Sequence, residues 1–185
     1  MILDEEAPAQ RLRSLLAAAD GGDVRAMTEA GLMLAKGGLE GVERDFAAAY
    51  GLYRQAAEKG FSMAQYNLAC MYMNGTGDVP RDYREARRWL EKAGAEDNAD
   101  QDRDAQFTLA TLFERGLGGD LDLTAARKWY ERAAANGSGR AQYDLACIYM
   151  HGKGVAVDKG LAVYWFEKAL ESGVSRAAVH LQELT

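Results

Sequence analysis

The stretch AQYDLACIYMHGKGVAVDKGLAVYWFEKALESG, residues 141–173, decides the fold of this 185-residue chain. It begins with apolar residues at helical spacing, passes through a turn with two glycines, and continues with a second apolar run after Asp158. Apolar residues that return every three or four positions predict an amphipathic helix. Glycines between two such runs predict a turn. The stretch is therefore predicted to form a helix, a turn and a second helix.

The same pattern occurs four times along the chain. The copies begin at Ala26, Ala64, Ala105 and Ala141, so the spacings are 38 (64 − 26), 41 (105 − 64) and 36 (141 − 105) residues. A period of this length indicates stacked helical pairs, because one pair cannot bury its own apolar face. Glycines mark the turn of every copy: Gly37–Gly38, Gly75/Gly77, Gly116/Gly118 and Gly152/Gly154.

The second helix of each copy carries its own signals. A carboxylate predicted to be its N-cap, which accepts from free backbone N–H groups, precedes it: Asp45, Asp82, Asp122 and Asp158. A large residue predicted to fill the space between repeats lies seven positions on: Leu52, Trp89, Trp129 and Trp165. A small residue on the same helix face lies eleven positions on: Ala56, Ala93, Ala133 and Ala169. Glycines predicted to end the helix follow in three copies: Gly60, Gly137 and Gly173.

Composition and charge limit the classes of function. The net charge is −6 and the pI is about 5.0, whereas nucleic-acid binding and binding to anionic membranes need a basic face. No apolar run approaches the ~18 residues of a membrane span, and residues 1–10 are acidic, unlike a signal peptide. We therefore expect no nucleic acid and no membrane insertion, and we expect the cytoplasm as the location.

The repeated pattern resembles the Sel1-like repeat family, which is related to the tetratricopeptide repeats. The clearest match is the fourth copy, at Leu145, Ala146, Tyr149, Gly152, Gly154, Val155, Asp158, Ala162, Trp165, Lys168, Ala169 and Gly173. The resemblance covers about residues 26–181, although Ala69, Ala110 and Ala146 stand where the family has Gly. It implies an all-α fold, a right-handed α/α solenoid of about four Sel1-like helix–turn–helix repeats with half-repeat caps.

We expect one repeat domain, over residues 10–185, after an acidic N-terminal tail at residues 1–9. Its predicted parts are a capping helix at 10–22, repeats at 26–63, 64–104, 105–140 and 141–176, and a C-terminal capping helix at 177–185. We expect this domain to be a monomer.

The second copy carries an Asp-rich insertion between Ala93 and Ala105. Its D-x-D-x-D run, residues 100–104, resembles the start of a calcium loop. However, Ala105 stands where that loop needs Gly, and Thr111 stands where it needs Glu. We therefore interpret the insertion as a solvated linker that also offers an N-cap to the next helix, and we expect no metal and no cofactor.

A search for catalytic constellations finds none. His151 and His180 lie outside any ligand motif, and Gly152-Lys153-Gly154 belongs to a repeated turn rather than to a phosphate loop. Cys70 and Cys147 occupy the same position two repeats apart. Because stacked helices are ~8–10 Å apart per layer and a disulfide needs Cα atoms within ~7 Å, two free thiols are predicted. We expect the protein not to be an enzyme.

The resemblance implies that the first helix of each repeat lines a concave groove for a protein or peptide. The predicted partner-binding residues are Tyr66, Asn67, Met73, Asn74, Phe107, Thr108, Thr111, Glu114, Arg115, Tyr143, Asp144, Met150 and His151. The terminal helix adds Arg176, Val179 and His180. The aromatic row Tyr66–Phe107–Tyr143 either anchors a partner or packs against its neighbours to stiffen the groove, and the polar members are the candidates for specificity.

Three functions are compatible with these patterns. The expected function is a non-catalytic protein–protein interaction adaptor or scaffold. The alternative is a cognate inhibitor, an immunity-type protein, of a bacterial toxin or secreted effector, because the chain is small and acidic and shows no other domain. The third is a hydrolase of the β-lactamase-like type, an activity proposed for the family's secreted, cysteine-rich branch.

Overall fold

The structure is a computed structural model that describes residues 7–95 and 99–184, without the side chains of residues 99–102. The regular elements in these ranges are all helices: α1 Pro8–Asp20, α2 Val24–Lys36, α3 Phe46–Glu58, α4 Ser62–Asn74, α5 Tyr83–Ala95, α6 Ala99–Arg115, α7 Leu123–Ala135, α8 Gly139–His151, α9 Lys159–Glu171 and α10 Ala177–Leu184. None of these helices is both long enough and apolar enough to cross a membrane.

The order of the helices follows the predicted period. Four helix–turn–helix copies run in order from α2 to α9, and α1 and α10 lie before and after them. The predicted all-α repeat fold is confirmed. The chain divides into two compact units, the N-terminal unit (Met1–Asp82) and the C-terminal unit (Tyr83–Thr185).

The ends of the second helices are set by local hydrogen bonds. Three of the predicted N-cap residues accept a bond of 2.9 Å from the backbone N–H three residues on: Asp45, Asp122 and Asp158. Asp82 directly precedes α5. The predicted terminal glycines all have positive φ: Gly60, Gly137 and Gly173. At Gly137, the Ser138 N–H bonds the Ala133 carbonyl at 2.9 Å, which satisfies a carbonyl that the helix end leaves unpaired.

The turn glycines allow consecutive repeats to approach closely. All of the predicted ones have a φ between +57° and +78°: Gly37, Gly38, Gly75, Gly77, Gly116, Gly118, Gly152 and Gly154. A Cβ added at Gly154 would lie 2.8 Å from the Cβ of Leu123, the first residue of α7. A Cβ at Gly118 would run into the carbonyl of Tyr83, the first residue of α5. The turns at Gly118 and Gly154 therefore pack on the start of the preceding second helix, and a side chain there would push the two apart.

The core combines small and large residues from every second helix. The predicted alanines are fully buried: Ala56, Ala93, Ala133 and Ala169. The residue directly after each predicted large one, which the sequence pattern did not single out, is buried more deeply: Tyr53, Leu90, Tyr130 and Phe166. Trp129 does lie between repeats, against Gly94 of the preceding second helix, but it is only half-buried. In the first repeat, this deeper residue faces the paired first helix, as the contact of Tyr53 with Gly31 shows.

Buried glutamines join consecutive repeats, a role that the sequence analysis did not assign. Gln65 Nε2 donates to the Ala57 carbonyl at 3.1 Å in the N-terminal unit. In the C-terminal unit, Gln142 Nε2 donates to the Ala134 carbonyl at 3.1 Å, and Gln106 makes the equivalent bond. Each acceptor lies in the last turn of a second helix, where carbonyls lack intrahelical partners. The glutamine therefore satisfies a buried carbonyl and sets the position of the next repeat.

The insertion lengthens α6, which has 17 residues where the other repeat helices have 13. The predicted linker is therefore wrong from Ala99 onward, because the added residues continue the helix by about one turn. The D-x-D-x-D run at residues 100–104 has a helical backbone. The side chains of Asp100 and Asp102, and all of residues 96–98, lie outside the described residues.

Candidate protein-binding face

The first helices have one buried side and one half-exposed side. In α8, Ala141, Leu145 and Ala146 are fully buried, whereas Tyr143 and Asp144 keep part of their surface accessible. Successive helical residues are about 100° apart, so these two sets of positions point in different directions. We call the half-exposed side of α6 and α8 in the C-terminal unit the first-helix face; the predicted partner-binding residues of α4 lie in the N-terminal unit.

The predicted partner-binding residues differ in exposure. Three of them, each the last residue of its helix, are exposed: Asn74, Arg115 and His151. The others are half-buried: Tyr66, Asn67, Met73, Phe107, Thr108, Thr111, Glu114, Tyr143, Asp144 and Met150. Their role in partner binding stays a prediction, and so does the continuation of the aromatic row from the C-terminal unit to Tyr66 in the N-terminal unit.

Tyr143 is held by contacts on three sides. Its ring centroid is 5.5 Å from that of Phe166, and its hydroxyl is 2.9 Å from Nε2 of His180. The guanidinium carbon of Arg176 lies 3.8 Å from the centroid of the Tyr143 ring, a cation–π contact. The ring therefore packs against its neighbours, one of the two interpretations open for it, while part of its surface remains available to a partner.

A polar network lies beside the second aromatic of the C-terminal unit. Phe107 packs on Tyr130 with ring centroids 5.7 Å apart. The Tyr130 hydroxyl donates to Glu114 Oε2 at 2.8 Å and lies 3.2 Å from Thr111 Oγ1. Lys153 Nζ donates to the other Glu114 oxygen at 3.4 Å. Burial raises the pKa of Tyr130 above its ordinary value, so its hydroxyl keeps its proton and Glu114 is held in one orientation.

Asp144 is a half-buried carboxylate with charged neighbours. Burial raises the pKa of Asp144 above its ordinary value, the charges of Arg176 and Lys153 oppose this rise, and Glu114 adds to it. Burial, with the nearby Asp144 charge, also raises the pKa of the Cys147 thiol. Cys147 is therefore a neutral thiol at neutral pH and not an activated nucleophile. Cys70, in the N-terminal unit, is not part of a disulfide bond in the described ranges.

A comparison with known protein families matches the four helix–turn–helix copies. The model of the family described as Sel1 repeat matches residues 24–61, 62–98, 103–138 and 139–174. The chain belongs to the Sel1 repeat family. Each matched repeat begins two residues before the predicted start, at the first residue of a first helix or, in the third repeat, within α6.

Proteins similar to this Sel1 repeat chain include a fungal regulator and two bacterial proteins of known structure. The chitin synthase regulator SKT5 of Saccharomyces cerevisiae is 38% identical over 105 residues, which cover 56% of this chain and only 14% of that protein. A protective antigen of uropathogenic Escherichia coli with an SLR fold is 33% identical with a TM-score of 0.81, over 88% of this chain and 33% of that one. A Sel1 repeat protein from Oxalobacter formigenes is 28% identical with a TM-score of 0.82, over 92% and 66%.

Some residues that shape the face of the Sel1 repeats were missed by sequence reasoning. Tyr130 packs against Phe107, and Phe166 packs against Tyr143. Lys153, in the turn after α8, forms an ion pair with Glu114. The signal for the first two was available, since each directly follows a Trp of the repeat pattern. Lys153 carries no such signal, because its position between two turn glycines does not indicate which helix its side chain reaches.

Asp144→Asn is expected to raise the free energy of unfolding of the C-terminal unit at pH 7. The folded-state pKa of Asp144 lies above its unfolded value, so the ionised carboxylate opposes folding once the pH exceeds the unfolded pKa. The gain from Asn should therefore shrink as the pH falls toward about 4. Urea unfolding at pH 7 and pH 4 checks this, with the exposed Asp120→Asn as the matched control. A loss of stability at pH 7 would contradict the prediction.

Proposed function

We propose that this chain is a non-catalytic adaptor that holds a segment of a partner protein on its first-helix face. The observation that carries the proposal is the group of Tyr143, Arg176 and Asp144 in the C-terminal unit. It places a half-exposed aromatic ring, a stacked guanidinium and a half-buried carboxylate on one surface. An aromatic anchor loses little entropy on binding, and fixed charges of both signs select the partner's residues.

Two further facts support this role. A relative that shares the repeat region is named as a regulator of chitin synthase, which supports a repeat region that acts on another protein rather than on a small substrate. Cys70 and Cys147 form no disulfide bond within the described residues, which suits a reducing compartment such as the cytoplasm. The partner would therefore be a cytoplasmic protein or a cytoplasmic segment of one.

Affinity purification from the native host with mass spectrometry tests the proposal. The bait carries Arg115→Glu with Arg176→Glu, two exposed residues, one at the end of α6 and one stacked on Tyr143. The matched control carries Lys128→Glu with Lys159→Glu, two exposed lysines of second helices in the same unit. The wild type and the control should enrich the same protein, and the face variant should lose it.

Equal recovery by both variants would contradict the proposal, and so would a loss confined to the control. Thermal unfolding of each bait, followed by circular dichroism, separates a lost contact from a lost fold. Recovery of a toxin or effector that is inactive in the complex would assign the inhibitor role instead.

A further inference from the structure

The N-terminal unit contains an open groove of about 750 Å³ between α1 and α2, which we call the N-terminal slot. The residues that line it are Pro8, Arg11, Glu29, Leu32, Met33, Lys36 and Leu39. Most of the lining is apolar, and Leu32 is 55% exposed. The slot therefore offers an accessible apolar surface on one side of two helices.

The repeat register shows what kind of element the slot has room for. Gly22 and Gly60 follow α1 and α3 with similar positive φ values, +94° and +89°, so α1 aligns with the second helices at an offset of 38 residues. In α3, α7 and α9, two positions on the side of the paired first helix are fully buried: Ala49, Ala126 and Ala162, and seven residues later Ala56, Ala133 and Ala169. The equivalent residues of α1 are Arg11 and Ala18, and both are exposed.

The α2 wall of the slot also has a residue that is more exposed than its equivalents in the later repeats. Met33 of α2 is half-buried, whereas its equivalents in the later first helices are buried: Met71, Leu112 and Ile148. Both walls therefore expose positions whose equivalents in the later repeats are buried. Within residues 7–82, no helix lies on this side of α1, so the slot exposes the helix side that a first helix covers in α3, α7 and α9.

The charges of the slot differ from those of the chain as a whole. Arg11 occupies the position of α1 that is Ala in α3, α5, α7 and α9. Its Nη2 lies 3.3 Å from Glu29 Oε2. These side chains are 60% and 52% exposed, so the pair is accessible to an incoming group. With Lys36, the lining carries two cations and one carboxylate, while the chain has a net charge of −6. The slot is therefore a locally positive apolar groove that favours an acidic ligand.

We propose that the N-terminal slot binds an amphipathic helix of a partner protein, with an apolar face toward Leu32 and Met33 and a Glu or Asp toward Arg11. A helix laid into a groove is read by apolar residues at i, i+3, i+4 and i+7. A carboxylate beside Arg11 gains a charge-assisted hydrogen bond that a basic or neutral residue cannot make. This proposal does not depend on the first-helix face of the C-terminal unit.

Two designed peptides test the proposal on the full chain. Both are stapled helices of 13 residues, the length of α4, with the same Leu/Ala stripe. One carries Glu beside the stripe and the other carries Lys. Fluorescence anisotropy should show about tenfold tighter binding of the Glu peptide. Its amide shift changes in the ¹⁵N-labelled protein should map to residues 8–39.

Matched variants assign the binding to the slot. Leu32→Glu should weaken the Glu peptide about tenfold, whereas Leu121→Glu, at a leucine of the C-terminal unit that is 61% exposed, should have no effect. Arg11→Glu should reverse the preference in favour of the Lys peptide, and Arg13→Glu, an exposed arginine of the same helix, should not.

Three results of the peptide experiments would overturn the proposal. These are equal affinity for the two peptides, shift changes that map outside residues 8–39, and binding that Leu32→Glu leaves unchanged. Sedimentation of the protein without peptide tests the remaining possible occupant, a second copy of this chain. Self-association that Leu32→Glu abolishes would assign the slot to a second copy of this chain and overturn the partner-helix proposal.

Discussion

Gly118→Ala is expected to destabilise the C-terminal unit by about 3 kcal/mol or more. The φ of Gly118 is +78°, and an added Cβ would run into the backbone carbonyl of Tyr83. Backbone cannot rotate away as a side chain can, so the turn and the start of α5 would have to separate. Urea unfolding followed by tryptophan fluorescence measures the loss, because the three tryptophans, Trp89, Trp129 and Trp165, all belong to this unit.

Two other glycines of the same unit distinguish the cost of a positive φ from the cost of the clash with Tyr83. Gly137 also has a positive φ, +80°, but its nearest neighbour would be the flexible end of Arg103, 4.0 Å away. Gly137→Ala should therefore cost about 1 kcal/mol, from backbone conformation alone. Gly119 has no positive φ, and its added Cβ would meet only the movable end of Arg87, so Gly119→Ala should cost less still. An equal loss at Gly118 and Gly137 would contradict the close approach of the two repeats.

Phe166→Ala is expected to cost about 3–5 kcal/mol of the free energy of unfolding of the C-terminal unit. Phe166 is fully buried, stacks on His180 at a centroid distance of 4.9 Å, and packs against Tyr143. Removing the ring leaves a cavity between α8, α9 and α10 that close-packed neighbours cannot fill. The same fluorescence-detected urea unfolding measures the effect.

Neighbouring positions provide the controls for Phe166. Phe166→Leu keeps most of the apolar volume, so it should cost less than half as much as the alanine variant. Tyr164→Ala, at an exposed position two residues earlier, should change the free energy by no more than about 0.5 kcal/mol. If Trp165→Ala proved more damaging than Phe166→Ala, the half-buried Trp of the repeat pattern, rather than the residue after it, would be the main core residue.

Much of the fold could be predicted because its signals are local. Asp122 caps a helix through an N–H three residues away, and Gly137 ends the same helix through its own φ. Such interactions depend only on neighbouring residues, so a single sequence contains them. The length of α6 was predicted incorrectly because the Asp-rich insertion is a weak helix former, and the rest of a strongly periodic helix continues through it.

The candidate face was predicted in outline but not in its contacts. Helical periodicity placed Tyr143 and Asp144 on the half-exposed side of α8. It did not show that Arg176, more than thirty residues later in the sequence, stacks on that Tyr. It also did not show that the turn residue Lys153 reaches Glu114 of the preceding repeat. Those contacts depend on the offset between stacked helices, which is a property of the whole array.

The sequence by itself determined the number of repeats, the ends of their second helices and the small residues that let the helices approach, because the pattern recurs at one period. Only the tertiary structure decided that Phe166 rather than Trp165 fills the core, that Gln142 joins two repeats, and that α1 and α2 leave an open slot. The physical reason is the same in each case. Periodicity specifies which side of a helix is apolar, whereas the neighbour that covers this side, or leaves it open, comes from a distant part of the chain.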